Sequence, residues 1–164
     1  MGREVQLMSL DRGVQERLIR LCQEEAEQSI SEGNPPFGAL LADPEGRVVV
    51  RAHNTQVSGH DATAHAEINL LRSAGSLMQR GSFDGFIVVA NAEPCSMCMS
   101  ACIKARIGCV YYGARHEAHL DPFLPAQDVA DRARHPVELQ GGILSDDCES
   151  QIARGRRGMV SVVD

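Results

Sequence analysis

The chain reads as an α/β protein: a three-layer α/β/α sandwich around a five-stranded mixed sheet. Stretches with a 3.6-residue apolar stripe alternate with short apolar runs of strand length. One of those runs, Phe86-Ile87-Val88-Val89-Ala90, is apolar throughout, as in a strand buried on both faces. A helical segment between the fourth and fifth strands makes those two strands parallel, because a parallel pair needs a crossover.

The first helix runs from Asp11 to about Ser31, with Val14, Leu18, Leu21, Cys22, Ala26 and Ile30 on one stripe. Asp11 suits the N-cap and Gly33 the stop. Phe37–Ala42 and Val48–Val50 flank Asp43-Pro44-Glu45-Gly46, whose Pro and Gly positions suit a type I turn, so 37–52 is a hairpin. Residues 53–63 form a polar loop of the kind that carries binding groups. A second helix spans about Ala64–Gln79, burying Ile68, Leu71, Ala74 and Met78. Pro94 opens the third helix, as proline does in a first turn. Cys109–Tyr112 is the fourth strand and 113–124 a loop; Ala126 to about Arg134 is a weak helix and Val137–Leu139 a fifth strand. A last helix runs from its cap Ser145 to about Arg154, where Gly155-Arg156-Arg157-Gly158 breaks it.

With 164 residues, 43% hydrophobic and 23% charged, the composition is that of one globular domain over 1–164, its active core about 34–115. No apolar run reaches membrane-spanning length, and Met1-Gly2-Arg3-Glu4 lacks a signal-peptide core, so a cytoplasmic location is expected. The net charge of −6 disfavours a broad nucleic-acid footprint while leaving room for a local basic patch. Cys22, Cys102, Cys109 and Cys148 sit among apolar residues, where a free thiol packs as a small hydrophobe.

The remaining cysteines carry the chemistry. His65-Ala66-Glu67 is followed thirty residues after His65 by Cys95, in Pro94-Cys95-Ser96-Met97-Cys98. One imidazole and two thiolates make a three-ligand zinc site with its fourth position open, which marks a catalytic rather than a structural site. A redox C-x-x-C would not need the His-x-Glu, and a closed site would need a fourth ligand; Cys102, one turn after Cys98, belongs to the core stripe. His65 and Glu67 two residues apart would diverge in mid-helix, at about 100° per residue. They converge only where a helix meets the metal with its first turn. Two helix N-termini would then meet at one ion, both favouring negative charge.

H-x-E with P-C-x-x-C is the pattern of zinc-dependent nucleobase deaminases. From about Phe37 to about Arg115 the chain resembles the cytidine-deaminase-like superfamily, nearest its guanine deaminase and tRNA adenosine deaminase branches, with Asn54 and Asp61 placed as in both. The resemblance implies one Zn²⁺ per chain on His65, Cys95 and Cys98, with Glu67 as the proton-transferring catalytic residue of a hydrolytic deamination. It also implies a base or sugar contact from the Asn54 amide, pocket-lining N–H groups at Ala66 and Cys95, and a homodimer. The alternative for Asn54 is a turn residue ending the second strand, and Asp61 suits an Asx-type turn before the second helix. Phe37 could face a bound ring or pack in the core. Asp121 and Phe123, in the loop where guanine deaminases read the purine edge, are substrate-contact candidates against a solvent-exposed alternative.

Pro36-Phe37-Gly38-Ala39 resembles the guanine deaminase branch more than the tRNA branch, and with the acidic charge that resemblance implies a free nucleobase or similar small aminated heterocycle as substrate and a role in purine metabolism. Ala105-Arg106-Ile107-Gly108, Tyr112-Gly113-Ala114-Arg115 and Gly141-Gly142-Ile143-Leu144 resemble the tRNA adenosine deaminases, but the Lys-Thr-Gly stretch typical of those is missing after Arg115. The basic Arg154–Arg157 run could touch phosphate or simply end a helix in solvent. A third alternative, a catalytically silent zinc-bound binding module, runs against the intact Glu67.

Overall fold

The structure is a computed structural model describing residues 9–115 and 124–160. Its elements in chain order are α1 (Arg12–Ser31), β1 (Gly38–Ala42), β2 (Val48–His53), α2 (Ala66–Met78) and β3 (Ile87–Ala92). Then come α3 (Ser96–Lys104), β4 (Cys109–Ala114), α4 (Ala126–Asp131), β5 (Glu138–Gln140) and α5 (Ser145–Val160). The five strands form one sheet in the order β2-β1-β3-β4-β5. β1 is antiparallel to both β2 and β3, whereas β3–β4 and β4–β5 are parallel. The mixed sheet and its parallel fourth and fifth strands are those the sequence predicts.

Alternation along the central strands divides the core in two, since successive side chains point to opposite faces. Ala39 and Leu41 of β1 join Val88 and Ala90 of β3 beneath α2 and α3, with Leu70, Ala74, Met99 and Cys102. Leu40, Ala42, Ile87 and Val89 face the other way, onto Leu18, Ile19 and Cys22 of α1 and Cys148 and Ile152 of α5. Gly38 is where α1 lies closest to the sheet: a Cβ there would stand 2.1 Å from the Cys22 carbonyl oxygen.

Asp11 caps α1 through its carboxylate, which accepts from the Val14 N–H at 3.0 Å, and Gly33 leaves the helix at φ +80°. The Asp43–Gly46 turn closes with the Gly46 N–H on the Asp43 carbonyl. Cys22, Cys102 and Cys148 are fully buried free thiols, as expected; Cys109 is half-buried.

Several boundaries differ from the sequence reading. α2 begins at Ala66, because the Ala64 N–H is held by Asp61 and His65 is extended at φ −67°, ψ 157°. Its fully buried apolar residues are Ala66, Leu70 and Ala74, while Ile68, Leu71 and Met78 are half-buried along the stripe's edge. Pro94 precedes α3, whose N-cap is Cys95. β4 continues through Ala114, and α4 ends at Asp131. Ser145 is the first helical residue of α5, with its hydroxyl donating to Glu149, while the Leu144 carbonyl accepts from the Cys148 N–H. α5 does not break at Gly155. A Cβ there would be 2.6 Å from Pro36 Cβ and 2.9 Å from Ile30 Cδ1, so the glycine lets the helix pass close to α1 and continue.

Candidate active site

The two helix N-termini converge. His65 is the N-cap of α2 and Cys95 the N-cap of α3, and neither side chain spends itself on capping its own helix. Cys98 lies in the first turn of α3, fully buried. Nδ1 of His65 stands 3.5 Å from Sγ of Cys95 and 3.5 Å from Sγ of Cys98. Zn–S near 2.3 Å and Zn–N near 2.05 Å at a tetrahedral angle place N and S about 3.5 Å apart, so the spacing fits zinc. Among the described residues these three make the one such group, with all ligand atoms within 4.8 Å of each other.

Charge at this cluster is organised before any ion arrives. The Cys95 thiol is pulled down to about 4, first by a hydrogen bond from Cys98 and then, against burial, by His65 and the Cys98 backbone N–H. The Cys98 thiol is held up by its neighbour Cys95 and by burial. His65 is raised by its contact with Cys95, with burial opposing. Glu67, in the first turn of α2 and only 7% exposed, is raised chiefly by burial, with its own backbone N–H and His65 opposing.

His65, Glu67 and Cys95 border a cavity of about 830 Å³, large enough for a heterocycle with substituents. Phe37, Asn54, Gln56 and Ala62 line it, as do Asn91, Ala92 and Glu93. Arg115, just past β4, and Glu149, Ile152 and Arg156 of α5 complete the lining. Among the substrate-contact candidates, Asn54 and Phe37 thus border the cavity. Ala66 is not among the residues that line it; its methyl group packs in the core. Asp121 and Phe123 lie outside the described residues.

Asn54 is fully buried and fills the turn position as well: its Oδ1 accepts from the Gln56 N–H at 2.9 Å. Asp61 makes the Asx-type turn expected of it, accepting from the Thr63 N–H at 2.8 Å and the Thr63 hydroxyl at 2.7 Å. Phe37 is half-buried against both cores, its ring 5.8 Å from the Arg156 guanidinium carbon.

Supporting residues went unread in the sequence. Asn91, at the end of β3, accepts from the Gly38 N–H and donates to the Pro36 carbonyl, both at 3.0 Å, which brackets Phe37. Asn34 accepts from the N–H groups of Val57 and Ser58 and holds the 54–64 loop from outside. Asn69 of α2 donates to the His53 carbonyl and the Thr55 hydroxyl, tying that loop to the helix. Buried asparagines are depleted in strands and helix interiors, and that oddity was the available signal.

A mixed sheet with parallel β3, β4 and β5, and a His-Cys-Cys cluster at two helix starts beside a buried glutamate, define a zinc-dependent hydrolytic deaminase. The chain belongs to the family of the cytidine and deoxycytidylate deaminase zinc-binding region, whose model matches residues 13–114. It is 28% identical to the tRNA-specific adenosine deaminase of Haemophilus influenzae over 141 residues, covering 84% of this chain and 80% of that protein. It is 35% identical to the guanine deaminase of Bacillus subtilis over 81 residues, 49% of this chain and 51% of that one. A match of 36% identity over 89 residues, 54% of this chain, to the tRNA(Ile)-lysidine synthase of Deinococcus radiodurans spans only 15% of that longer protein. In fold, the guanine deaminase of Nitrosomonas europaea superposes with a TM-score of 0.73 at 19% identity, covering 96% of this chain and 99% of that one. Among the described residues no helix is long and apolar enough to cross a membrane.

Proposed function

We propose that the chain deaminates a free nucleobase or a related small aminated heterocycle, as the guanine deaminases do. The observation that carries this reading is the mixed charge of the cavity lining, where Glu93 and Glu149 stand with Arg115 and Arg156. A net charge of −6 agrees with it, because an RNA footprint needs a surplus of positive charge.

In this reading His65, Cys95 and Cys98 hold zinc. Zinc supplies a water whose pKa falls from about 15.7 to about 7. Glu67 accepts the proton of the attacking water and delivers it to the ring nitrogen beside the carbon that bears the amino group. Glu67 then takes the remaining proton of the added hydroxyl and passes it to the departing amine, so that the carbon keeps a carbonyl oxygen and the amine leaves as ammonia. Phe37 offers a face for the ring, and the Asn54 amide fixes its edge. Burial of Glu67 under the first turn of α2 keeps bulk water from competing for that proton. A homodimer is part of the proposal.

Similarity to a tRNA-specific adenosine deaminase over 84% of the chain favours the second reading, an adenosine in an anticodon loop. Ammonia release from guanine, cytosine, adenosine, cytidine, triazines and pterins, run beside an anticodon-loop RNA, separates the two. Turnover of a free heterocycle supports the proposal. Turnover of the RNA alone replaces it, and silence across the panel, with zinc bound, points to a binding module.

A further inference from the structure

The structure assigns Gln56 as a specificity-determining residue that fixes the hydrogen-bonding polarity of Asn54 toward the substrate. The assignment rests on the reading above in which Asn54 meets the heterocycle.

An asparagine amide has two indistinguishable orientations unless its partners decide between them. Here they do. The backbone N–H of Gln56 only donates, and it lies 2.9 Å from one end of the Asn54 amide, so that end is Oδ1. The other end, Nδ2, then donates to Gln56 Oε1 at 2.7 Å. That leaves Gln56 Nε2 to donate to the Ala62 carbonyl, which only accepts, at 3.2 Å. Two backbone groups of fixed polarity, one at each end, thus set both side-chain amides. No other assignment satisfies all three contacts.

Both amides border the cavity that holds Glu67 and His65. Each has capacity left: Asn54 retains one N–H and one lone pair, since an amide carries two of each. With its orientation fixed, Asn54 takes a ring edge that sets an acceptor beside an N–H donor, as in an unsubstituted amidine or lactam. The reversed edge would meet donor with donor and acceptor with acceptor, which costs more than a missing bond.

The loop is built to hold this pair still. The Asp61 N–H donates to the Gln56 carbonyl, and the Thr55 N–H donates to the Ala64 carbonyl. Asn34 grips the next two residues, Val57 and Ser58. Gln56 itself is half-buried on this loop, away from both cores, so its side chain is not needed for packing.

The test uses zinc-loaded, ¹⁵N-labelled protein without ligand, and then the substrate that the panel above identifies. Asn54 side-chain N–H protons should exchange slowly with solvent in the parent protein. Protection should be lost in Gln56→Leu and partly kept in Gln56→Glu, which retains the Oε1 acceptor for Asn54 but gives up the bond to the Ala62 carbonyl. Equal exchange in all three overturns the inference. In turnover, Gln56→Leu should lower kcat/KM about tenfold, mainly through KM, as expected for one lost hydrogen bond on the Asn54 amide, whose other end the residue-56 N–H still holds. Gln56→Glu should recover most of that loss, and Gln56→Leu should add little in an Asn54→Ala background. The same factor in both backgrounds overturns the inference. If Asn54→Ala is silent while Glu67→Ala is inactive, the Asn54 contact fails and this inference falls with it, leaving the deaminase chemistry intact. Zinc content and melting temperature of each variant identify a merely unfolded protein.

Discussion

The metal end of the cavity and the rest of its lining are built by different means. At the metal end, His65, Glu67, Cys95 and Cys98 come from two short stretches, each occupying the start of one helix. Local sequence places those groups, and their electrostatics come chiefly from one another and from burial. Elsewhere in the lining, Phe37, Asn54, Gln56, Arg115 and Arg156 arrive from β1's approach, the 54–64 loop, the end of β4 and α5. Phe37 is held by long-range polar contacts, Asn91 bracketing it across 53 and 55 residues, whereas Asn54 and Gln56 hold each other within their loop. In the function proposed above, chemistry and selectivity are therefore assigned to separate parts of the molecule, and the separation can be attacked from either side.

The largest effects should fall at the metal end. Cys98→Ala should bring zinc content, measured by atomic emission, from one per chain to near zero and remove turnover with it. Glu67→Ala should keep its zinc yet lose about 10²- to 10⁴-fold in kcat, the usual worth of general acid–base catalysis. Retained activity in that zinc-replete variant would remove Glu67 from the mechanism.

A change away from the metal end should be felt as stability instead. Gly38→Ala drives a methyl group toward the Cys22 carbonyl at 2.1 Å and the Ala26 nitrogen at 2.7 Å. Because both are backbone atoms, α1 must shift, which should destabilise by about 1–3 kcal/mol in chemical denaturation. Zinc content should be unchanged. If metal were lost as well, the two regions would be coupled more tightly than the geometry indicates.

The smallest effect concerns His53, at the end of β2 and remote from the metal. Burial pulls its imidazole down, but hydrogen bonds with Glu25 and Glu32, at 3.1 and 2.9 Å, outweigh that and hold it above its ordinary 6.5. A group whose folded pKa is raised stabilises below its unfolded value and loses that contribution as pH climbs through the folded one. The melting temperature of the parent should therefore decline slightly more than that of His53→Gln as pH rises above about 6.5. A steeper decline in the variant would contradict the pairing.

The same division explains what could be read from the sequence. The sheet, its parallel strands and the three ligand candidates were legible because each depends on periodicity or on spacing within one element. Asp61 and Asp11 were legible for the same reason: their hydrogen bonds stay within three residues. The continuation of α5 was not, because Gly155 looks like a breaker until Pro36 and Ile30 are seen against it. Gln56 was passed over because its partners are the Asn54 amide and one backbone carbonyl, that of Ala62, a pattern without a signature in residue type. The zinc cofactor was expected from the motif and agrees with the family, whereas the choice between base and RNA depends on lining residues that no periodicity reports.

The parallel run of β3 and β4 brings Ala92 and Ala114 to the same edge of the sheet, so the chain leaves both strands at the mouth of the cavity. Ligands gather at such carboxyl ends in open α/β sheets. Changes at Arg115 can accordingly reshape the cavity lining from a different strand than the one that leads into Cys95. A lineage built this way can change what it eats while keeping the tool it eats with.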